Sequence, residues 1–112
     1  MNESELEQFE AQIRARLEEL KEQSALANES QSIVELDQQA VGRLSRMDAL
    51  QNQAMAKAQQ ANRDLEARGL LAALIRIKDG EFGHCEDCGD EIRAGRLNLN
   101  LAASKCVSCA SV

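Results

Sequence analysis

The chain has 112 residues, with no Trp, Tyr or Pro, only two Phe, and a net charge of −6. That excludes a core built on aromatic side chains and argues against a general nucleic-acid binder, which needs a basic face. The length allows one compact domain or a small module with an appendage, and abundant Ala, Glu, Gln, Leu and Arg without Pro favour long uninterrupted helices.

The opening Met-Asn-Glu-Ser-Glu-Leu-Glu is acidic and lacks the basic and apolar regions of a signal peptide. No run approaches the ~20 apolar residues of a membrane span. The expected location is therefore the cytoplasm, where paired cysteines hold metal more often than they form disulfides.

Residues 4–27 carry Leu6, Phe9, Ile13, Leu17, Leu20, Ser24 and Ala27 at steps of three and four. Those steps trace one face of an amphipathic helix, with a solvated outer face on which Glu10 and Arg14 stand four apart. The polar cluster at 28–32 (Asn-Glu-Ser-Gln-Ser) predicts a bend near 28–36. A second helix is expected from about Asp37, whose carboxylate would cap it, to about Asp79, with Gly80 as its stop. Its stripe reads Ala40, Leu44, Met47, Gln51, Ala54, Ala58, Ala61 and Leu65. Folding back at 28–36 would set Phe9 and Ile13 against the alanines at 54–61 and Leu20 near Leu44. Large residues would then face small ones in an antiparallel hairpin with arms of ~35–40 Å. The hairpin is expected to be a monomer; the competing arrangement is a single long helix that pairs between chains.

Past Leu65 the second helix becomes densely apolar at Leu70, Leu71, Leu74, Ile75 and Ile77, which predicts packing on more than one side. Gly69 interrupts this run at a cost of about 1 kcal/mol relative to Ala, permitting either a close contact or a bend.

The four cysteines stand in the last quarter as Cys85-Glu86-Asp87-Cys88 and Cys106-Val107-Ser108-Cys109. The spacing C-x2-C-x17-C-x2-C lies in the window of a four-thiolate zinc site. Disulfides, a thiol redox pair or a rubredoxin-like iron site are the alternatives. Gly89 after the second cysteine allows a left-handed turn that aims amides at sulfur. Ile92 and the alternating Leu97, Leu99 and Leu101 predict a short extended piece over the site. His84 reads as an exposed residue leading into the knuckle, and Arg93, Arg96 and Lys105 as ordinary surface. Four thiolates leave zinc no open position and make it a poor Lewis acid, so the metal is structural. No nucleophile with a supporting base is recognisable, and the chain is not read as an enzyme.

The fold class that follows is mainly α: an antiparallel two-helix coiled-coil hairpin over 1–79, and a four-cysteine zinc module over 80–112 packed on the end of the second helix. The acidic residues near the bend, Glu29, Glu35 and Asp37, read as caps and loop charge or as a contact surface.

The stretch Phe82-Gly83-His84-Cys85-Glu86-Asp87-Cys88-Gly89-Asp90-Glu91-Ile92, then Arg96-Leu97, then Cys106-Val107-Ser108-Cys109, resembles the DksA/TraR zinc-finger family. The motif covers about 30 residues, and the helical hairpin before it extends the likeness over most of the chain. Proteins of that family are bacterial transcription regulators that bind RNA polymerase and insert a coiled-coil tip through its secondary channel. There they alter the lifetime of promoter complexes, in many members together with the alarmone ppGpp. The resemblance implies that Cys85, Cys88, Cys106 and Cys109 hold Zn2+. It also implies a tip near the bend, where better-known members hold two aspartates three apart and then an alanine. Asp37 matches the second aspartate, Val34 stands in place of the first, and Gln39 stands at the alanine position with Ala40 next. The tip implied here is a variant built on Glu35, Asp37 and Ala40. The helix that follows the last cysteine in longer members, and an N-terminal extension, have no counterpart in the sequence, which bears on ppGpp binding. Neither sequence-specific DNA binding nor membrane association is expected. A zinc-stabilised coiled-coil scaffold without a polymerase role, a zinc-ribbon DNA binder and a thiol oxidoreductase are the rival readings.

Overall fold

The computed structural model describes residues 1–38 and 43–110, with side chains described for 1–29 and 46–110. Those residues form four helices: α1 (Glu3–Gln38), α2 (Arg43–Asp79), α3 (Ala94–Leu99) and α4 (Val107–Ala110). Among them no helix is long and apolar enough to cross a membrane.

Helix α1 starts where Asn2 accepts, through Oδ1, a 2.8 Å bond from the Glu5 amide, satisfying one of the helix's unpaired N–H groups. Glu3 and Glu5 in the first turn complement its dipole. The helix then continues without a break across 28–36, where the sequence predicts a bend, and takes in Asp37. Asn, Ser and Gln each cost only a few tenths of a kcal/mol in a helix, and the cluster holds neither Gly nor Pro to stop it. The second helix accordingly begins at Arg43 rather than at Asp37. Its far end agrees with expectation. Gly80 takes a φ of 77°, and the Glu81 amide bonds back to the Arg76 carbonyl at 2.8 Å.

The chain divides into two compact units, Glu18–Leu65 and Met1–Leu17 with Glu66–Val112. Within the first, Leu20 and Ala49 are buried, Ser24 and Ala27 are half-buried, and the Gln60 amide donates to the Ser24 hydroxyl at 3.0 Å. The half-buried seam of α2 here is Gln53, Ala56, Gln60 and Arg63. That corrects the expected stripe. Met47, Gln51, Ala54, Ala58, Ala61 and Leu65 are all exposed, half a helical turn away. The pairing of Leu20 with Leu44 cannot be placed, because the Leu44 side chain lies outside the described residues.

In the second unit Phe9 and Ile13 are buried together with Leu70, Ala73, Phe82, Ile92, Leu97 and Ala103, not with the alanines at 54–61. The two phenylalanines of the chain meet, with ring centroids 5.6 Å apart and planes tilted by 54°. Arg16 clamps Glu66 with two bonds, Nε to Oε2 at 2.7 Å and Nη2 to Oε1 at 3.1 Å, which sets the antiparallel register of the helix ends. Each of these pairings goes with a first helix that runs on to Gln38 instead of bending at 28–36. Gly69 makes a close contact: a Cβ there would lie 3.0 Å from the Ala102 Cβ. The dense apolar run divides accordingly, with Leu70 buried, Leu74 and Ile77 half-buried, and Leu71 and Ile75 exposed.

Candidate metal centre

The loop after α2 reverses twice on glycines. Gly83 takes a φ of 88° and Gly89 a φ of 79°, conformations that cost a residue with a Cβ. Between them Cys85 and Cys88 lie on one turn. The Gly89 amide bonds to the Cys85 carbonyl at 2.9 Å, and the Cys85 amide to the Asp90 carbonyl at 2.8 Å. An isolated antiparallel bridge joins His84 and Glu91, and the Ile92 amide closes on the Gly83 carbonyl at 2.7 Å. The second pair is built differently. Cys106 precedes α4 and Cys109 sits within it, so the helical repeat of three to four residues brings both sulfurs to one side.

The four Sγ atoms lie within 4.8 Å of one another, and those of Cys88 and Cys106 are 3.7 Å apart. A tetrahedron with Zn–S bonds of about 2.3 Å has sulfurs about 3.8 Å apart, so the Cys88–Cys106 pair already has the spacing zinc requires and the other sulfurs lie close to it. His84 is exposed and is not part of the converging group.

Electrostatics favours a cation at this point. Amides of Cys106 and Cys88 point at the Cys85 sulfur and pull its pKa down to about 6. At Cys88 an amide near Asp90 acts in the same direction, but the Cys85 sulfur, burial and Cys106 outweigh it and the thiol is pushed up. Cys109 is pushed up further by the sulfurs of Cys106, Cys85 and Cys88. The fold by itself favours a thiolate at Cys85 and protonated thiols at Cys88 and Cys109; four thiolates need a divalent ion to neutralise them.

Residues read from the sequence as ordinary surface brace this site. Lys105 pairs with Asp87 at 3.3 Å, linking the two cysteine loops, and the carboxylate raises the Lys105 pKa. The Arg96 guanidinium donates to the Lys105 carbonyl at 2.9 Å, and the Glu86 amide to the Ser104 carbonyl at 2.9 Å. No spacing announces such contacts, because each joins groups nine or more residues apart that meet only when the loop closes. The expected extended piece is instead the short helix α3, which buries Leu97 completely and leaves Leu99 92% exposed. Three alternating leucines are too few to separate a strand from a helical turn.

The expected tip falls beyond the described side chains. Ala40 and the side chains of Glu35 and Asp37 lie outside the described residues.

Residues 80–112 match the prokaryotic dksA/traR C4-type zinc finger. Over 51 residues, 43% of the chain, the sequence is 37% identical to the RNA polymerase-binding transcription factor DksA of Escherichia coli K12, and equally to those of Salmonella typhi and Shigella flexneri. That stretch spans 34% of those proteins, about a third of their length. The structure is similar to that of transcription factor DksA2 from Pseudomonas aeruginosa, with a TM-score of 0.87 over 99% of this chain and 84% of that one. At 17% identity, that likeness is one of fold. The family resemblance read from the residues is borne out, and the four cysteines are the ligands expected of its structural Zn2+.

Proposed function

We propose that this chain, which carries the zinc finger of the DksA/TraR family at residues 80–112, is a bacterial regulator of transcription that binds RNA polymerase. The paired helices α1 and α2 enter the polymerase's secondary channel by the end where α1 finishes and α2 begins, and the bound protein changes promoter-complex stability. The observation that carries the reading is the 37% identity over 51 residues to proteins named as RNA polymerase-binding transcription factors. A pair of helices is narrow enough, at ~10–12 Å per helix, for a channel that excludes globular domains. Acidic residues at the inserted end, Glu35 and Asp37 with Ala40 beside them, would act electrostatically on a catalytic magnesium or a basic loop nearby. The zinc is structural and the protein performs no catalysis: a four-cysteine site has no position left for substrate. It reads no DNA sequence, works in the cytoplasm, and acts on polymerase as a monomer, with ppGpp as a candidate effector.

Zinc-loaded protein incubated with core RNA polymerase should co-elute with it. Excess protein should shorten or lengthen the lifetime of an open complex at a ribosomal promoter, measured with and without ppGpp. Asp37→Asn should bind but lose most of that effect. No co-elution, or an unchanged lifetime at saturating protein, sinks the proposal in favour of a zinc-stabilised coiled-coil interaction protein.

A further inference from the structure

Between residues 47 and 65 the outward face of α2 is more apolar than its inward one. The inward seam is the buried Ala49 and the half-buried Gln53, Ala56, Gln60 and Arg63, whereas the exposed crest is Met47, Ala54, Ala58, Ala61 and Leu65, with Gln51 as its one polar member. Met47 is 69% exposed and Leu65 65%, with Leu50 and Met55 flanking the crest and also more than half exposed. The crest positions recur in the alternating steps of four and three that define a coiled-coil seam. An apolar seam of that period turned to water marks an interface. The expectation of a monomer rested on this seam being used inside the chain, and it is not.

We propose that the crest joins two copies of this chain, α2 against α2, antiparallel about a two-fold axis. The pattern is complementary to its own reverse. When Ala58 of one copy meets Ala61 of the other, Leu65 falls against the partner copy's Ala54, and the symmetry repeats both layers. Large side chains are thereby set against small ones, and the alanines at the centre let the backbones approach closely. The charged flank agrees. In this register Lys57 of each copy stands opposite Asp64 of the other, giving two reciprocal ion pairs. Asp64 is held for this by a 2.9 Å bond from the Gln60 amide of its own chain. A parallel pairing would set like residues in each layer and leave Lys57 facing Met55 or Asn62, so charge selects the antiparallel form. In this register the two crests overlap over residues 54–65, about three turns, too little for the ~800 Å² per partner of a tight complex, so the association is weak and reversible. The inference is independent of the polymerase reading.

Sedimentation equilibrium of the intact zinc-loaded chain, from about 1 µM to about 500 µM, tests it. The mass should rise from one chain to two across that range. Ala58→Glu and Leu65→Glu, both at exposed positions, should each weaken association at least tenfold, with helicity by circular dichroism unchanged. Lys57→Glu should weaken it, and adding Asp64→Lys should restore it. A one-chain mass at every concentration overturns the proposal, and so does a dimer indifferent to Ala58→Glu and Leu65→Glu. Failure of Asp64→Lys to rescue Lys57→Glu overturns the antiparallel pairing.

Discussion

Gly69 shows how one residue can look like a flaw in its element and be a fit in the fold. In a helix interior it gives up about 1 kcal/mol of propensity, but a side chain there would press on Ala102 at 3.0 Å. Gly69→Val should therefore destabilise the protein by about 1–3 kcal/mol in urea unfolding, through overpacking. A neutral or stabilising result would mean that the loop around Ala102 yields freely. The cysteines are legible at the same scale, because a metal site is written in local spacing. Their environment is not: the amides on Cys85, the Lys105–Asp87 pair and the Arg96 brace depend on how the loop closes. With Cys85 lowered to about 6 and Cys88 and Cys109 raised, zinc must displace protons from at least the latter two. Zinc affinity should then rise with pH, by more than tenfold per unit across neutrality, in a chelator competition assay. An affinity flat with pH would refute that proton count.

At the scale of the helices, α1 was readable and α2 was not. Leu6, Phe9, Ile13, Leu17 and Leu20 stand out against charged neighbours, and all five are buried or half-buried. In α2 alanine and glutamine occur on every side, so two faces compete and the more apolar one is exposed. The choice is made by partners: Ser24 for Gln60, and Arg16 for Glu66. Ile13→Ala, at a fully buried position, should cost about 2–5 kcal/mol, whereas Leu65→Ala should stay within about 0.5 kcal/mol at micromolar protein. A large cost for Leu65→Ala would return the crest to the interior. The Arg16–Glu66 clamp is more than a third exposed on both sides, so a double-mutant cycle should find only about 0.5–1 kcal/mol of coupling. Its role is to set register more than to stabilise.

For the whole molecule, the zinc loop does not stand alone. Phe82, Ile92, Leu97 and Ala103 share one core with Phe9, Ile13, Leu70 and Ala73, in the unit formed by Met1–Leu17 and Glu66–Val112. Chelating the metal should therefore speed amide exchange in Phe82–Ala110 and also in the helix segments 3–17 and 66–79. Exchange confined to the loop would show that the shared core survives without the ion. By itself the sequence determined the helical class, the apolar face of α1, the stop at Gly80, the zinc ligands and the family resemblance. Each of these is written in composition, short-range periodicity or the spacing of a few residues, which the chain carries wherever it folds. The tertiary structure alone decided how far α1 runs, the register of the helices, the face of α2 left to solvent and the close contact at Gly69. Those depend on which distant side chains meet, and small polar and alanine-rich surfaces leave local energetics too even to choose.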